Sequence, residues 1–179
     1  MNDTDRQAHW QNVYATKAEK EVSWFQENPT RSLDMIAATG ISTDAGILDV
    51  VGGASRLVDC LLDKGFSRLA ILDLSAKALE ATKERLGRRG DGVDWIVADV
   101  ATWNPSGTYD VWHDRAAFHF LTDPADRDAY IARLKKAVRS GGKSSSRRSL
   151  RTVPNGAAAC RSRATIRQPS PPRSGPSLN

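Results

Sequence analysis

The chain has 179 residues, with 26 lysines and arginines against 21 aspartates and glutamates. Its net charge of +5 comes from its C-terminal segment. Residues 144–179 hold seven arginines and no acidic residue, so residues 1–143 are slightly acidic. We therefore do not expect a nucleic-acid-binding protein, apart from non-specific contact between RNA and the basic tail. No apolar run approaches the ~18 residues of a membrane span, and residues 1–10 lack the apolar centre of a signal peptide, so the sequence predicts a soluble cytoplasmic protein without a membrane partner.

The first predicted elements are two helical segments within residues 5–39, separated near Asn28 and Pro29. Aromatic side chains dominate this region: Trp10, Tyr14, Trp24 and Phe25. Two interpretations have equal support. The aromatic residues either form the apolar stripe of helices packed on a sheet, or they close a lid over a ligand.

From residue 46 onward, short apolar runs alternate with helical patterns. The predicted strands cover residues 46–51, 68–74, 93–100 and 109–115, and the predicted helices cover residues 54–65, 75–90 and 123–138. Strands separated by helices indicate an α/β protein with a doubly wound, Rossmann-like, mostly parallel sheet. We expect a helical cap over residues 1–40 and an αβ core over residues 45–143.

The expected fifth strand is replaced by a polar sequence that begins at Ser144. Residues 144–179 contain no aromatic residue, eight serines and five of the eight prolines, and such a segment cannot bury enough apolar surface to offset its ordering entropy. We therefore predict a disordered tail and a sheet that is incomplete after its fourth strand. If the serines at 144–146 are TCN codons, a frame starting one base earlier encodes three consecutive apolar residues, which suggests that the tail is a frameshift product.

Three aspartates lie at the ends of three successive predicted strands, and they indicate a nucleoside site. In a doubly wound sheet, ligands bind at the carboxyl ends of the strands. Asp49 precedes Gly52 and Gly53, whose lack of a side chain allows close approach of a ligand. Asp73 suits the two hydroxyls of a ribose, and Asp99 suits an adenine amino group. Each acid could instead be a simple helix cap.

The glycine spacing after the first strand argues against a dinucleotide. A dinucleotide site needs the spacing GxGxxG to place a helix N-terminus against a pyrophosphate, and this chain lacks it. The negative charge of Asp49 would repel a pyrophosphate but attract an ammonium or sulfonium group. S-adenosylmethionine carries both groups, so we expect it as the cofactor, and a nicotinamide-dependent oxidoreductase is the less favoured alternative.

Over about residues 9–143 the chain resembles the small bacterial class I S-adenosylmethionine-dependent methyltransferases. The specific segments are HWQNVYATKAEKEVSWFQ at residues 9–26 and WHDRAAFHFLT at residues 112–122, and the general motifs are ILDVVGGAS and AILDLS. The resemblance implies transfer of a methyl group from S-adenosylmethionine to a small molecule or a protein side chain, although this shortened chain could be an inactive fragment that only binds the adenosyl group, or an interaction protein with a basic tail.

The resemblance also implies roles for individual residues. The cofactor-binding residues would be Tyr14, Trp24, Asp49, Val50, Gly52, Gly53, Asp73, Leu74, Asp99 and Val100. The methyl-transfer end would be lined by His113, Asp114, Arg115 and His119. Tyr14, Trp24, Lys17 and Phe25 would belong to the closing N-terminal cap.

Two points qualify these roles. The family usually has glycine where this chain has Val51, and a β-branched residue there would stiffen the loop and crowd the cofactor. A general base is needed only if the acceptor must lose a proton, and His113 or His119 could serve. For either histidine taken singly, a packed or hydrogen-bonded role is the favoured alternative.

No metal site is predicted, and Cys60 fits a small buried apolar residue better than a disulfide partner or metal ligand.

Overall fold

The computed structural model of the chain describes residues 3–16, 21, 25–146 and 149–152. Its helices are α1 (Asp3–Thr16), α2 (Thr30–Ala37), α3 (Leu57–Asp63), α4 (Ala76–Leu86), α5 (Ala117–Phe120) and α6 (Pro124–Ala137), with a 3-10 turn at Gly87–Gly90. The strands are β1 (Gly46–Val50), β2 (Arg68–Asp73), β3 (Asp94–Val97), β4 (Tyr109–Asp114), β5 (Val138–Ser146) and β6 (Ser149–Thr152). None of the helices within these ranges is long and apolar enough to cross a membrane.

The strands form one sheet in the order β3-β2-β1-β4-β5-β6. Strands β1 to β5 are parallel, and β6 runs antiparallel to β5. The strand order reverses between β1 and β4, which is the position where doubly wound folds bind their ligands. The predicted Rossmann-like fold is confirmed.

The sheet is covered on both faces. Along β1, Ile47 packs with one buried apolar cluster, and Leu48 and Val50 pack with the other. Successive side chains of a strand point to opposite faces, so this short apolar run anchors both layers of the core. A polar residue within it, such as Asp49, is therefore buried by its position in the chain.

Side chains cap the first turns of two helices. The Ser75 hydroxyl accepts a hydrogen bond from the Ala78 N–H at the start of α4. The Asp123 carboxylate accepts one from the Ala125 N–H at the start of α6, whose first residue is Pro124. Each cap satisfies an N–H group that the helix itself leaves unpaired, which fixes where the helix begins.

The prediction that the sheet ends at β4 is wrong. Strand β5 begins at Val138, continues across Lys143 and pairs in parallel with β4 as far as Ser146. Backbone pairing does not require apolar side chains, and the buried Ser145 faces a polar partner, His113, on β4. Strand β4 is therefore an inner strand of the sheet. Residues 153–179 of the predicted tail lie outside the described residues, and the predicted domain boundary at 143 stays a prediction.

Candidate active site

The main cavity lies at the carboxyl ends of the strands, beneath α1. It encloses about 610 Å³, including the space at its opening. The polar lining residues are Arg6, Asp73 and Asp99; the aromatic ones are Trp10, Tyr14 and Phe120; the aliphatic ones are Val51, Leu72, Leu74, Ala98, Val100, Ala117 and Leu121. A mostly apolar cavity with a few carboxylates suits a ligand that has a flat apolar part and hydroxyl groups.

Five of the predicted cofactor-binding residues line this cavity: Tyr14, Asp73, Leu74, Asp99 and Val100. Asp49 and Val50 lie buried in β1, and Gly52 and Gly53 form the buried turn that follows it. Trp24 and Lys17 lie outside the described residues. The acids at the strand ends are therefore brought together as the sequence predicts, with Asp49 behind the cavity wall.

The two glycines after β1 are required by the close approach of carboxylates. A Cβ atom added to Gly52 would clash with the Asp49 carboxylate, and one added to Gly53 would lie 2.7 Å from Asp73 Oδ2. The Gly53 N–H donates a hydrogen bond to the same Asp73 oxygen at 3.0 Å. The turn after β1 is thus tied to the end of β2.

Asp73 is almost fully buried and retains hydrogen-bonding capacity toward the cavity. Its Oδ1 accepts from the Ser75 N–H at 2.8 Å, and its Oδ2 accepts from Gly53. A carboxylate has about four acceptor positions, so two remain for ligand hydroxyls. Burial raises the pKa of Asp73 to about 6, although the nearby backbone N–H groups, chiefly those of Ser75 and Gly53, oppose this shift.

Asp49 lies in a still more strongly desolvated position. Burial raises its pKa to about 7; the positive charge of Arg115 opposes the shift, and the negative charges of Asp114 and Asp73 add to it. Arg115 forms no hydrogen bond or ion pair within the described part of the chain. A cationic ligand beside Asp49 would favour the charged carboxylate, which is the electrostatic basis of the predicted preference for an ammonium or sulfonium group.

Val51 has a strained backbone. Its φ angle is +60°, and it is the one non-glycine residue with positive φ among the residues that the structure describes. For a β-branched residue this is an outlier, at a cost of roughly 1–2 kcal/mol. The side chain is 42% exposed and lines the main cavity. Position 51 therefore needs a left-handed conformation, which glycine adopts without strain, and Val51 adds bulk to the cavity wall.

Helix α1 forms part of the cavity wall, which supports the lid interpretation of its aromatic residues. Trp10 and Tyr14 line the cavity, and the Trp10 ring meets the exposed Phe120 edge to face, with 5.8 Å between the ring centroids. The helix also contacts the start of α4, where the Lys77 N–H donates to the Gln11 side chain at 3.3 Å. The packing and lid interpretations therefore both describe α1.

Sequence reasoning missed Arg6, which joins α1 to the cavity. Its guanidinium forms an ion pair with Asp99 at 3.1 Å and another with Asp126 at 2.7 Å. The other oxygen of Asp99 accepts a hydrogen bond from the Ala101 N–H. Asp99 thus holds the lid helix as well as facing the cavity, and no sequence pattern marks Arg6 apart from its place on α1.

A second, smaller cavity lies at the end of β4. It encloses about 330 Å³, including its opening, and is lined by Gln26, Arg31, Ser32, Met35, His113, Asp114 and Arg115. Three of the four residues predicted for the methyl-transfer end are therefore together. His119 is exposed on α5 and lines neither cavity, so its predicted role lacks structural support.

His113 is buried and has a partner at both ring nitrogens. Its Nδ1 lies 3.2 Å from the Ser145 hydroxyl on β5, and its Nε2 lies 3.1 Å from the Ser32 hydroxyl on α2. Burial lowers the pKa of His113 to about 4, and the positive charge of Arg115 adds to this. A neutral ring held on both sides favours the packed interpretation over a general base.

Asp114 holds the end of β4 to the helix that follows it. Its Oδ1 accepts from the Ala117 N–H, and its Oδ2 accepts from the Phe118 N–H and from the Tyr130 hydroxyl. The Tyr130 oxygen in turn accepts from the Trp112 indole N–H at 2.8 Å. This buried network positions α5, which supplies Ala117 and Phe120 to the main cavity.

Comparison with known proteins agrees with this geometry. The chain is 32% identical over 129 residues to an EEF1A lysine methyltransferase 2 from Danio rerio, covering 66% of this chain and 54% of that protein. It is 26% identical over 120 residues to a trans-aconitate 2-methyltransferase from Rhizobium rhizogenes, covering 66% and 44%. The chain therefore spans about half the length of the curated relatives it matches.

Solved structures show the same fold. The glycopeptide N-methyltransferase MtfA, crystallised with S-adenosyl-L-methionine, superposes with a TM-score of 0.58 at 21% identity, over 68% of this chain and 54% of that one. A family model described as a methyltransferase domain matches residues 47–142, which is more than half of the chain. With its β3-β2-β1-β4-β5 parallel sheet and the acids at the strand ends, this chain belongs to the methyltransferase domain family and has the class I methyltransferase fold.

Proposed function

We propose that the chain binds S-adenosylmethionine in the main cavity and transfers its methyl group to an acceptor held in the second cavity. The observation that supports this most strongly is Asp73: a buried carboxylate at the end of β2, fixed by two backbone N–H groups, with acceptor positions left for two hydroxyls. The relatives' names add support, since each is a methyltransferase.

The residues of the main cavity fit the cofactor. Asp73 would hold the ribose hydroxyls, and Leu74, Ala98 and Val100 would pack against the adenine ring. Asp49 and the glycine turn would face the methionine part. When bound, the cofactor supplies a methyl group on a positively charged sulfur.

The chain's own contribution is positioning and exclusion of water. Alignment of acceptor and methyl group can provide a large part of the rate enhancement without acid or base chemistry. Helix α1 is placed to close the main cavity, and the ion pairs of Arg6 with Asp99 and Asp126 hold it there. Because both ring nitrogens of His113 are engaged, the arrangement suits an acceptor that has no proton to lose.

The acceptor is not defined by the relatives, whose names specify a lysine of a protein in one case and a small organic acid in the other. Both classes of acceptor, a small molecule and a protein side chain, belong to this proposal. A cytoplasmic location, predicted from the sequence alone, belongs to this proposal. The alternative is a fragment that binds the adenosyl group without turnover.

The test is calorimetric titration of the full chain with S-adenosylmethionine, comparing wild type with Asp73→Ala. Removing the carboxylate should reduce affinity at least about a hundredfold, because two charge-assisted hydrogen bonds are lost. Asp91→Ala, at an exposed turn position, is the matched control and should bind as wild type does. Unchanged affinity of Asp73→Ala would refute the assigned ribose role.

A further inference from the structure

We propose that the second cavity binds an anionic acceptor, a small molecule with a carboxylate group that receives the methyl. This inference rests on the proposed function, since it names the substrate class of the same site. It is carried by the charges of the cavity lining, by the position of the cavity beside β1, and by the arrangement of His113.

The second cavity lies next to β1, the strand that precedes the glycine turn proposed to face the cofactor. In the β1–β4 ladder, Asp49 is opposite His113 and Val50 is opposite Asp114. The residue after β4, Arg115, is close enough to Asp49 for its charge to act on that carboxylate. A molecule in the second cavity would therefore sit beside the turn that faces the methionine part of the cofactor.

Two arginines, Arg31 and Arg115, belong to the lining of the second cavity. Within the described residues, neither Arg31 nor Arg115 forms a hydrogen bond or an ion pair with another side chain. The one acid of the lining, Asp114, has its carboxylate turned to the Ala117 and Phe118 N–H groups and to Tyr130. Two guanidinium groups facing one small cavity favour a planar anion, because a guanidinium matches a carboxylate with two parallel hydrogen bonds.

A carboxylate acceptor also explains how the cavity works without a general base. The carboxylate is ionised at neutral pH and has no proton to transfer. Its oxygen forms a bond to the methyl carbon while the bond from that carbon to sulfur breaks, and the electron pair stays on the sulfur as a neutral thioether. The products are a methyl ester and S-adenosylhomocysteine, so atoms and charge balance. His113 then needs only to be neutral and fixed, as it is.

The same carboxylate chemistry has a second source, the methionine carboxylate of the cofactor itself. To distinguish the acceptor carboxylate from the cofactor carboxylate, we measure the affinity of the chain for S-adenosylhomocysteine and, separately, for a free acid. The first probe, S-adenosylhomocysteine, is titrated calorimetrically into the full chain. Three acids, acetate, succinate and tricarballylate, are then titrated into the full chain saturated with S-adenosylhomocysteine. The triamide of tricarballylate is the uncharged control ligand.

The variants are Arg31→Gln and Arg115→Gln, with Arg88→Gln as a control of equal charge change at an exposed position outside the cavity. We expect at least one acid to bind wild type and Arg88→Gln, and to bind about tenfold or more weakly to both cavity variants, while the S-adenosylhomocysteine affinity of Arg31→Gln changes less than about twofold. The triamide should not bind.

Three results would overturn the proposal: no acid binds wild type at millimolar concentration, the acids bind all variants equally, or both cavity variants lose affinity for S-adenosylhomocysteine itself. The last would assign the arginines to the cofactor carboxylate. If wild type does not bind S-adenosylhomocysteine, the proposed function fails on its own. Acid titration of the ligand-free chain then decides the anion site separately, by whether binding depends on Arg31 and Arg115.

Discussion

Gly53 and Asp73 are joined by a hydrogen bond of 3.0 Å from the backbone N–H of the first to the carboxylate of the second. This bond links the turn after β1 to the end of β2, two segments that are 20 residues apart in the chain. It requires glycine, since a Cβ at position 53 would also lie 2.8 Å from the Ala78 Cβ. The position of the Asp73 carboxylate thus depends on the absence of a side chain at Gly53.

Gly53→Ala should therefore weaken S-adenosylmethionine binding by about tenfold or more while the chain stays folded. The added methyl group displaces the Asp73 carboxylate, which has no other place in a closely packed interior. Gly92→Ala is the control, because nothing lies within 4 Å of the position where its Cβ would stand. Calorimetric titration of both variants measures the effect, and equal affinities would contradict the assigned geometry.

Val51→Gly should stabilise the chain by about 1 kcal/mol. Relief of the left-handed backbone strain gains roughly 1–2 kcal/mol, and the greater freedom of glycine in the unfolded chain offsets about half of this. The midpoint of thermal unfolding should rise by about 2–4 °C.

Val97→Gly is the matched control for this change, because Val97 is similarly exposed but lies in the extended strand β3. Val97 is the last residue of β3, where an extended backbone suits valine better than glycine, so this variant should be less stable than wild type, by up to roughly 0.5–1 kcal/mol. Denaturant unfolding compares the two. A loss of stability in Val51→Gly would show that the positive φ does not strain this backbone.

Tyr130→Phe should destabilise the chain by about 2–4 kcal/mol. The change leaves the Trp112 N–H without its buried partner and removes one of the two donors to Asp114 Oδ2, and losses of this kind cost roughly 1–3 kcal/mol each. Tyr109→Phe removes a hydroxyl from a half-buried ring and should change stability by less than about 0.5 kcal/mol. Equal unfolding free energies for the two variants would contradict the network.

Affinity for S-adenosylmethionine should fall as the pH falls from about 8 to about 5. The pKa of Asp49 is raised to about 7 and that of Asp73 to about 6 in the ligand-free chain. Below these values both carboxyls carry protons. A positively charged ligand favours the charged carboxylates, so these protons must leave the carboxyls when the ligand binds. Each released proton weakens binding by up to about tenfold per pH unit below the pKa.

Titrations in buffers of different ionisation enthalpy measure this proton release directly. In Asp49→Asn the pH dependence should become shallower, because one of the two titrating groups is gone. Affinity that is constant with pH, or that rises toward acid, would contradict the electrostatic account of Asp49 and Asp73.

The sequence predicts the acid positions well, because the pattern that identifies each is local. Asp73 follows a buried apolar run and precedes a serine cap, so the end of β2 and the start of α4 are both visible in residues 68–76. The strand order reversal follows from the alternation of strands and helices together with the short, right-handed connections of α/β folds. The doubly wound fold and its ligand-binding edge are therefore readable from the sequence.

Strand β5 was not predictable from the same kind of pattern. After Val138, its residues RSGGKSSS lack the apolar and β-branched side chains that indicate a buried strand. The strand forms because β4 offers a row of backbone hydrogen-bonding groups, and because Ser145 can bond to the buried His113. Only the three-dimensional arrangement reveals that a serine is the suitable residue there.

The roles of the histidines and of Arg6 depend on residues far apart in the chain. Ser32 is 81 residues from His113, and Asp126 is 120 residues from Arg6. No periodicity or motif connects such pairs, so the sequence could favour a packed role for His113 over a base without identifying the partners that hold its ring. The two serine partners are what favour the packed role.

The most direct test of the account is calorimetric titration of the full chain with S-adenosylmethionine and, separately, with NAD. The account predicts saturable, one-to-one binding of S-adenosylmethionine and no binding of NAD at the same concentrations, because the turn after β1 lacks the GxGxxG spacing that a pyrophosphate needs. Binding of NAD without binding of S-adenosylmethionine would contradict it.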